Sequence, residues 1–219
     1  MNKPSQRRNN MSQFYRIILP GIIILAANVL FAQAGNEDKS LKYFNKTEGG
    51  ISFGLGSFNA DMYNGIPKKV RNDEIVVTLQ TINGLKYMDR VSIGLSVGAE
   101  IWQNGLFWPI YGYLGYDFKP ADNNFFANVY IGYAPGKRDP TSFYHYEGKG
   151  AFAFSIGLGY KMKIAKNLKF VYEVFYKYQA IESSYDMIYL KSDSIISTTK
   201  VDYKIPLSFA GFKIGIWFP

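Results

Sequence analysis

The chain holds one histidine, His145, in the stretch TSFYHYEGK, with Ser142 before it and Glu147 after it. A hydroxyl, an imidazole and a carboxylate are the parts of an acyl-transfer or ester-hydrolysis site, in which serine attacks and histidine takes its proton. Such a site is a spatial arrangement, and nearness in sequence adds little to it. An ordinary exposed loop histidine is the reading the sequence favours. Two basic stretches could meet phosphate: IPKKVRND, with Lys68, Lys69 and Arg71, and GKRD, with Lys137 and Arg138. Arginine would hold a phosphate bidentately and lysine as a point charge; a solvated loop is the plain alternative. The glycines of GLGSFNADMYNG and SIGLGY do not make a phosphate loop, because neither opens a helix or carries the needed lysine. With no cysteine, one histidine and no acidic calcium loop, no metal and no cofactor are expected.

The elements that would position these residues are strands. Of 219 residues, 18 are Tyr, 17 Phe and 21 Gly, as expected for aromatic strands joined by tight turns. Mean hydropathy is −0.11, a value that fits a membrane barrel as well as a soluble protein, since barrel strands alternate apolar and polar. Net charge is +8. Four of the 25 basic residues, Lys3, Arg7, Arg8 and Arg16, precede residue 35, where no acid occurs. The remaining 21 against 17 acidic residues leave +4. Without a basic cluster this is no nucleic-acid footprint.

Residues 1–34 read as a secretory signal peptide. A basic, polar start is followed by the apolar run IILPGIIILAANVLF and by Ala32-Gln33-Ala34, which predicts cleavage before Gly35. The run is too short to span a bilayer comfortably and Pro20-Gly21 interrupts it. Arg7-Arg8 lacks the apolar residues that follow a twin-arginine pair, so the general secretory route is expected. Residues 35–46 read as a flexible lead-in, and 47–219 as one β domain.

Eight strands are predicted in that domain. They begin at Thr47, Asp73, Asp89, Phe107, Asn124, Gly150, Asn167 and Ile205, the last ending at Phe218. The connections after strands one, five and seven are long, whereas those after two, four and six are all short. Long connections then fall on one end of an up-and-down sheet, the pattern of an outer-membrane barrel. In the last long connection the alternation persists through Met187, Tyr189, Ile195, Val201 and Tyr203. Strands seven and eight are therefore expected to project as a hairpin that turns near Lys191–Ser194 and offers its edges to an extended partner.

In strand three Val91, Ile93, Leu95, Val97, Ala99 and Ile101 alternate with Ser92, Gly94, Ser96, Gly98 and Glu100. Strands five and seven alternate in the same way, and GAFAFSIGLGY at 150–160 has no charge on either face. A soluble lipocalin-like barrel would point the apolar face inward. Eight strands leave too narrow an interior for so many large groups, and the outside would be Gly, Ala and Ser. Turned toward lipid, the apolar face is satisfied, and small residues with Glu100, Glu173 and Lys177 fill the interior. A spanning sheet must then close, because hydrocarbon cannot satisfy an open edge. Tyr133, Tyr160, Tyr176, Tyr178, Trp102, Trp108 and Trp217 lie near strand ends and are expected in interfacial girdles. The reading is an all-β, eight-stranded antiparallel up-and-down transmembrane β-barrel, too narrow for a water channel.

Three stretches, QTINGLKYMDRVSIGLSVGAE, FWPIYGYLGYDF and FKIGIWF, make the chain resemble the small outer-membrane barrels of Gram-negative bacteria. The group is the OmpA/OmpX-like one and, more narrowly, the outer-membrane-protein β-barrel family of Bacteroidota. The resemblance implies residence in the outer membrane and contact with its lipid. It also implies that the barrel-assembly machinery reads the terminal strand ending at Phe218, although Pro219 departs from a final aromatic. Some such barrels modify lipid A, which would give His145 an enzymatic role. The favoured expectation is a non-enzymatic structural or adhesive protein working through its outer loops, with Lys68, Lys69, Arg71, Lys137 and Arg138 against lipopolysaccharide.

Overall fold

The structure is a computed structural model, and it describes residues 41–61, 67–138, 148–191 and 194–218. The signal-peptide stretch and the Ser142, His145, Glu147 group lie outside the described residues. The strands in chain order are β1 (Leu41–Leu55), β2 (Ser57–Asp61), β3 (Pro67–Arg71), β4 (Ile75–Tyr87), β5 (Val91–Trp102), β6 (Gly105–Phe107), β7 (Ile110–Asp117), β8 (Asn124–Tyr133), β9 (Gly136–Arg138), β10 (Gly148–Ala165), β11 (Leu168–Lys191) and β12 (Ser194–Phe218).

Eight of these, β1, β4, β5, β7, β8, β10, β11 and β12, each pair antiparallel with the next. The last pairs back onto the first, from Asn45 opposite Phe218 to Leu55 opposite Ser208, and this closes the ring. The predicted transmembrane up-and-down barrel is the observed fold. The other four strands lie at the long-loop end. β2 and β3 form their own hairpin. β6 and β9 continue the lines of β7 and β8 beyond Trp108-Pro109 and Ala134-Pro135. Proline has no N–H to donate, so the ladder breaks there. It resumes when Trp108 N–H donates to the Pro135 carbonyl at 2.6 Å and β6 pairs with β9.

The short turns, Met88–Arg90, Phe118–Asn123 and Lys166–Asn167, share the opposite end. In the first, Met88 and Asp89 take φ of 48° and 56°, and the Asp89 carboxylate is tied to Lys42 at 2.9 Å. In the second, the hydrogen bond from Lys163 holds the Asp122 carboxyl below its ordinary pKa.

Two boundaries differ from the sequence reading. β1 starts at Leu41, so residues 41–46 belong to the barrel rather than to a flexible lead-in. The Phe44 ring stacks flat on Trp217, centroids 4.3 Å apart, and Lys46 is fully buried among carboxylates. β10 runs to Ala165 because KMKIA keeps the alternation, with Lys161 inward and Met162 and Ile164 outward. The projecting hairpin is present: β11 and β12 stay paired through Lys191 opposite Ser194, with residues 192–193 outside the described set.

The faces sort as the alternation requires. Ile93, Leu95 and Ile101 point out while Ser92, Ser96 and Glu100 are buried; Phe152, Ile156 and Leu158 point out while Ala151, Ala153 and Ser155 are buried. Tyr133, Tyr176 and Trp108 are exposed at girdle positions, and Tyr160 and Tyr178 are half-buried. Trp102 and Trp217 are corrected. They are 3% and 1% exposed and sit inside, because they share parity with Glu100 and Lys213.

The outer face carries a polar cluster on β1 and β4. Asn45 donates to Thr81 Oγ1 (3.2 Å) and Asn83 Oδ1 (3.0 Å), Thr47 meets Thr81 at 3.1 Å, and Tyr43 bonds Asn83. Bonding among themselves limits what these groups lose in an apolar surround.

Rings inside the barrel need room, and glycines supply it. Gly84 faces Gly94 across β4 and β5. A Cβ on Gly84 would strike the Ile93 carbonyl oxygen and lie 2.8 Å from the Phe44 ring. Gly84→Ala is therefore expected to destabilise the barrel by roughly 1–3 kcal/mol, as overpacking does. Urea unfolding of the folded, heat-modifiable gel band measures it.

Candidate functional site

The barrel interior carries charge at three levels. At the middle level Lys46 and Lys213 meet Glu48 and Glu173. Lys46 lies 2.9 Å from Glu173 and in contact with Glu48; Lys213 lies 3.0 Å from Glu48 and 3.3 Å from Glu173. Tyr130 (2.8 Å) and Gln80 (2.6 Å) donate to Glu48, and Asn128 (2.7 Å) donates to Glu173. Toward the long-loop end Lys177 pairs with Glu100 at 2.5 Å, and the Tyr111 hydroxyl donates to Glu100. Toward the short-turn end Lys86 (2.8 Å) and Lys161 (2.6 Å) share Asp117.

Isolated buried charges are costly, and pairing with added hydrogen bonds offsets that cost. The ion pairs therefore tie β5 to β11 across the core, β1 to β11 past the strand between them, and β12 to its neighbour β11. Aromatic rings separate the levels. Lys213 sits 4.2 Å from the Tyr130 ring centre and Lys161 3.6 Å from that of Trp217, distances at which the ring face attracts a cation. Gly157 matters here as well. A Cβ on it would lie 2.6 Å from Glu173 Oε1 and 2.8 Å from Asn128 Oδ1, so its hydrogen leaves space for the carboxylate.

The long-loop end of the interior holds a hydrophobic cluster. Phe58 of β2 packs with Val76, Trp102, Phe107, Ile205, Leu207 and Phe209, and Val70 of β3 lies against the group. The β2–β3 hairpin therefore packs over that end through Phe58 and Val70. Charged levels below and an apolar cluster above fill the barrel.

The basic residues singled out in sequence stand on the strand extensions at this end. Lys68, Lys69 and Arg71 lie on β3, opposite Ala60, Asn59 and Ser57. Lys137 and Arg138 lie on β9, opposite Leu106 and Gly105 on one side and Lys149 and Gly148 on the other. Lys69, Arg71 and Lys137 are exposed. The two groups occupy separate sheets at one end of the barrel. Glu100, Glu173 and Lys177 are interior as expected. Lys46, Lys86, Asp117, Lys161 and Lys213 were missed. Lys213 was legible, since it stands between outward Phe212 and Ile214. Lys46 was hidden by starting the first strand too late, and Lys161 by ending the sixth too early.

No family model and no curated protein sequence matches the chain. Solved structures do. Neisserial surface protein A aligns over 82% of this chain and 99% of its own, with a TM-score of 0.50 and 7% identity. The outer membrane protein OprG from Pseudomonas aeruginosa aligns over 79% and 95%, with a TM-score of 0.44 and 13% identity. Outer membrane protein AlkL, solved in lipid bilayers, aligns over 85% and 93%, with a TM-score of 0.48 and 12% identity. At 7% identity the likeness to Neisserial surface protein A is one of fold alone, and it agrees with the closed eight-stranded ring described above.

Proposed function

We propose that the chain is an outer-membrane protein that acts at the cell surface without turnover, as a structural or adhesive barrel. The observation that carries this reading is the filled interior. With three ion-paired levels and the Phe58 cluster inside, transport through the barrel is disfavoured. Contact surface is offered instead by the strands beyond the ring: the β2–β3 hairpin, the β6/β9 pair and the β11–β12 hairpin. In this reading residues 1–34 direct export by the general secretory route and are removed, and the barrel-assembly machinery reads the strand ending at Phe218. The short turns face the periplasm. Lys68, Lys69, Arg71, Lys137 and Arg138 meet lipopolysaccharide phosphates, and the free edges of the β11–β12 hairpin accept an extended partner strand.

The test combines binding and chemistry. Lys69→Glu/Arg71→Glu/Lys137→Glu is expected to weaken lipopolysaccharide binding to the folded protein at least ten-fold, measured by calorimetry in detergent. Unchanged affinity removes the assignment of those residues. Lipid A mass spectra from cells with and without the protein are expected to match. A changed acyl pattern abolished by His145→Ala would make it an enzyme instead.

A further inference from the structure

The three interior levels differ in their charge balance. The middle one has two lysines against two glutamates, and the one above has Lys177 against Glu100. The lowest has two lysines, Lys86 and Lys161, on the single carboxylate of Asp117. Both lysines are buried. A surplus positive charge in a low-dielectric interior is costly unless something of opposite sign meets it.

A cavity of about 480 Å³ opens beside this level, at the short-turn end of the barrel. Lys86 and Lys161 line it together with Lys42, Lys166 and Lys169, and the stacked Phe44 and Trp217 form its apolar part. Lys42 is matched by Asp89. Asp122, which also lines the cavity, is held by Lys163 at 2.7 Å. Lys169 donates to the Ala121 carbonyl. Among the described residues neither Lys166 nor Lys169 has a carboxylate within ion-pair distance. Among the described residues five lysines and two aspartates line the cavity, so the surplus of the buried level continues to the rim.

We propose that this cavity is a binding site for a multivalent anion, phosphate- or carboxylate-bearing, entering from the short-turn side. A singly charged ion would match only part of the surplus. Two or more linked negative groups can meet Lys86 and Lys161 at depth and Lys166 and Lys169 at the rim together, and linkage makes the second contact intramolecular. Lysine rather than arginine throughout gives point-charge attraction without a fixed fork. The site would therefore select for charge number and spacing more than for planar shape.

The probes are inorganic tripolyphosphate and citrate, titrated by calorimetry against the folded protein in nonionic detergent. At least one is expected to bind saturably at one site, more tightly than inorganic phosphate. Which one binds names the chemical class. Lys166→Gln/Lys169→Gln is expected to weaken that binding at least ten-fold. These side chains lie at a turn and a strand start, so the heat-modifiable band is retained. Lys204→Gln, an exposed lysine paired with Glu182 on the projecting hairpin at the opposite end, is expected to leave it unchanged. No saturable binding of either probe overturns the proposal. So does binding that is insensitive to Lys166→Gln/Lys169→Gln, or that follows Lys204→Gln.

Discussion

Glu173→Ala is expected to lower the unfolding free energy of the barrel by about 3–5 kcal/mol, the range seen when one partner of a buried ion pair is removed. Glu173 accepts from Asn128 and faces both Lys46 and Lys213. Without it, two ammonium groups share Glu48 in a space sealed by aromatic rings. Deleting Lys213 as well, as Glu173→Ala/Lys213→Met, restores one lysine to one glutamate and is expected to recover a large part of the loss. The comparison isolates charge imbalance from lost packing, because the double variant removes more atoms and still gains stability. Urea unfolding in lipid vesicles, followed by the heat-modifiable gel shift, gives both values. A loss below about 1 kcal/mol for Glu173→Ala would mean water reaches the cluster and screens it, as at exposed pairs. The interior would then be wet and the filled-barrel account wrong.

The second large effect is on the outer face. Leu95 is 68% exposed, near the middle of β5, with Ile93 and Val97 beside it on the same face. Leu95→Arg is expected to cost about 2–4 kcal/mol, the penalty for a cation near the midplane of a spanning barrel. In water the same change would fall within about 0.5 kcal/mol, as surface substitutions do. The sign and size of this one substitution therefore separate a lipid-facing belt from a soluble surface. Tyr87→Arg, at the short-turn rim of the same face, is expected to cost much less, since cations at the interface meet headgroups and water.

The closed ring was readable because lipid on one side and a narrow interior on the other impose a strict period of two. Strand three shows it from Val91 to Ile101 without a break. Glu100, Glu173 and Lys177 were legible as interior charges for the same reason. What failed was counting parity at strand ends. Trp102 and Trp217 were placed by their nearness to a rim, but parity puts them inside with Glu100 and Lys213. Lys46 was taken for part of a polar lead-in because LKYFNK looks hydrophilic as a block. Its alternate residues, Phe44 and Lys46, continue the inward row of Glu48. The shared use of Asp117 by Lys86 and Lys161 could not be read at all. It joins β4, β7 and β10 across the barrel and depends on how the ring closes. The interior rings were underestimated too. Phe126 and Tyr130 fit only because residues such as Gly159, against Phe126, have no side chain.

The central claim is that the apolar face of every ring strand meets lipid while the alternate face is shut inside. The chain has no cysteine, so single cysteines can be placed from Val91 to Ile101, spin-labelled, and the protein folded into vesicles. Collision with oxygen, which concentrates in hydrocarbon, and with a water-soluble nickel chelate reports the surroundings of each label. Odd positions are expected to show high oxygen and low nickel collision rates. Even positions are expected to show low rates for both, giving a period of two along β5. Nickel collision at Ile93, Leu95 and Val97 equal to that of a label in a soluble loop would contradict the account.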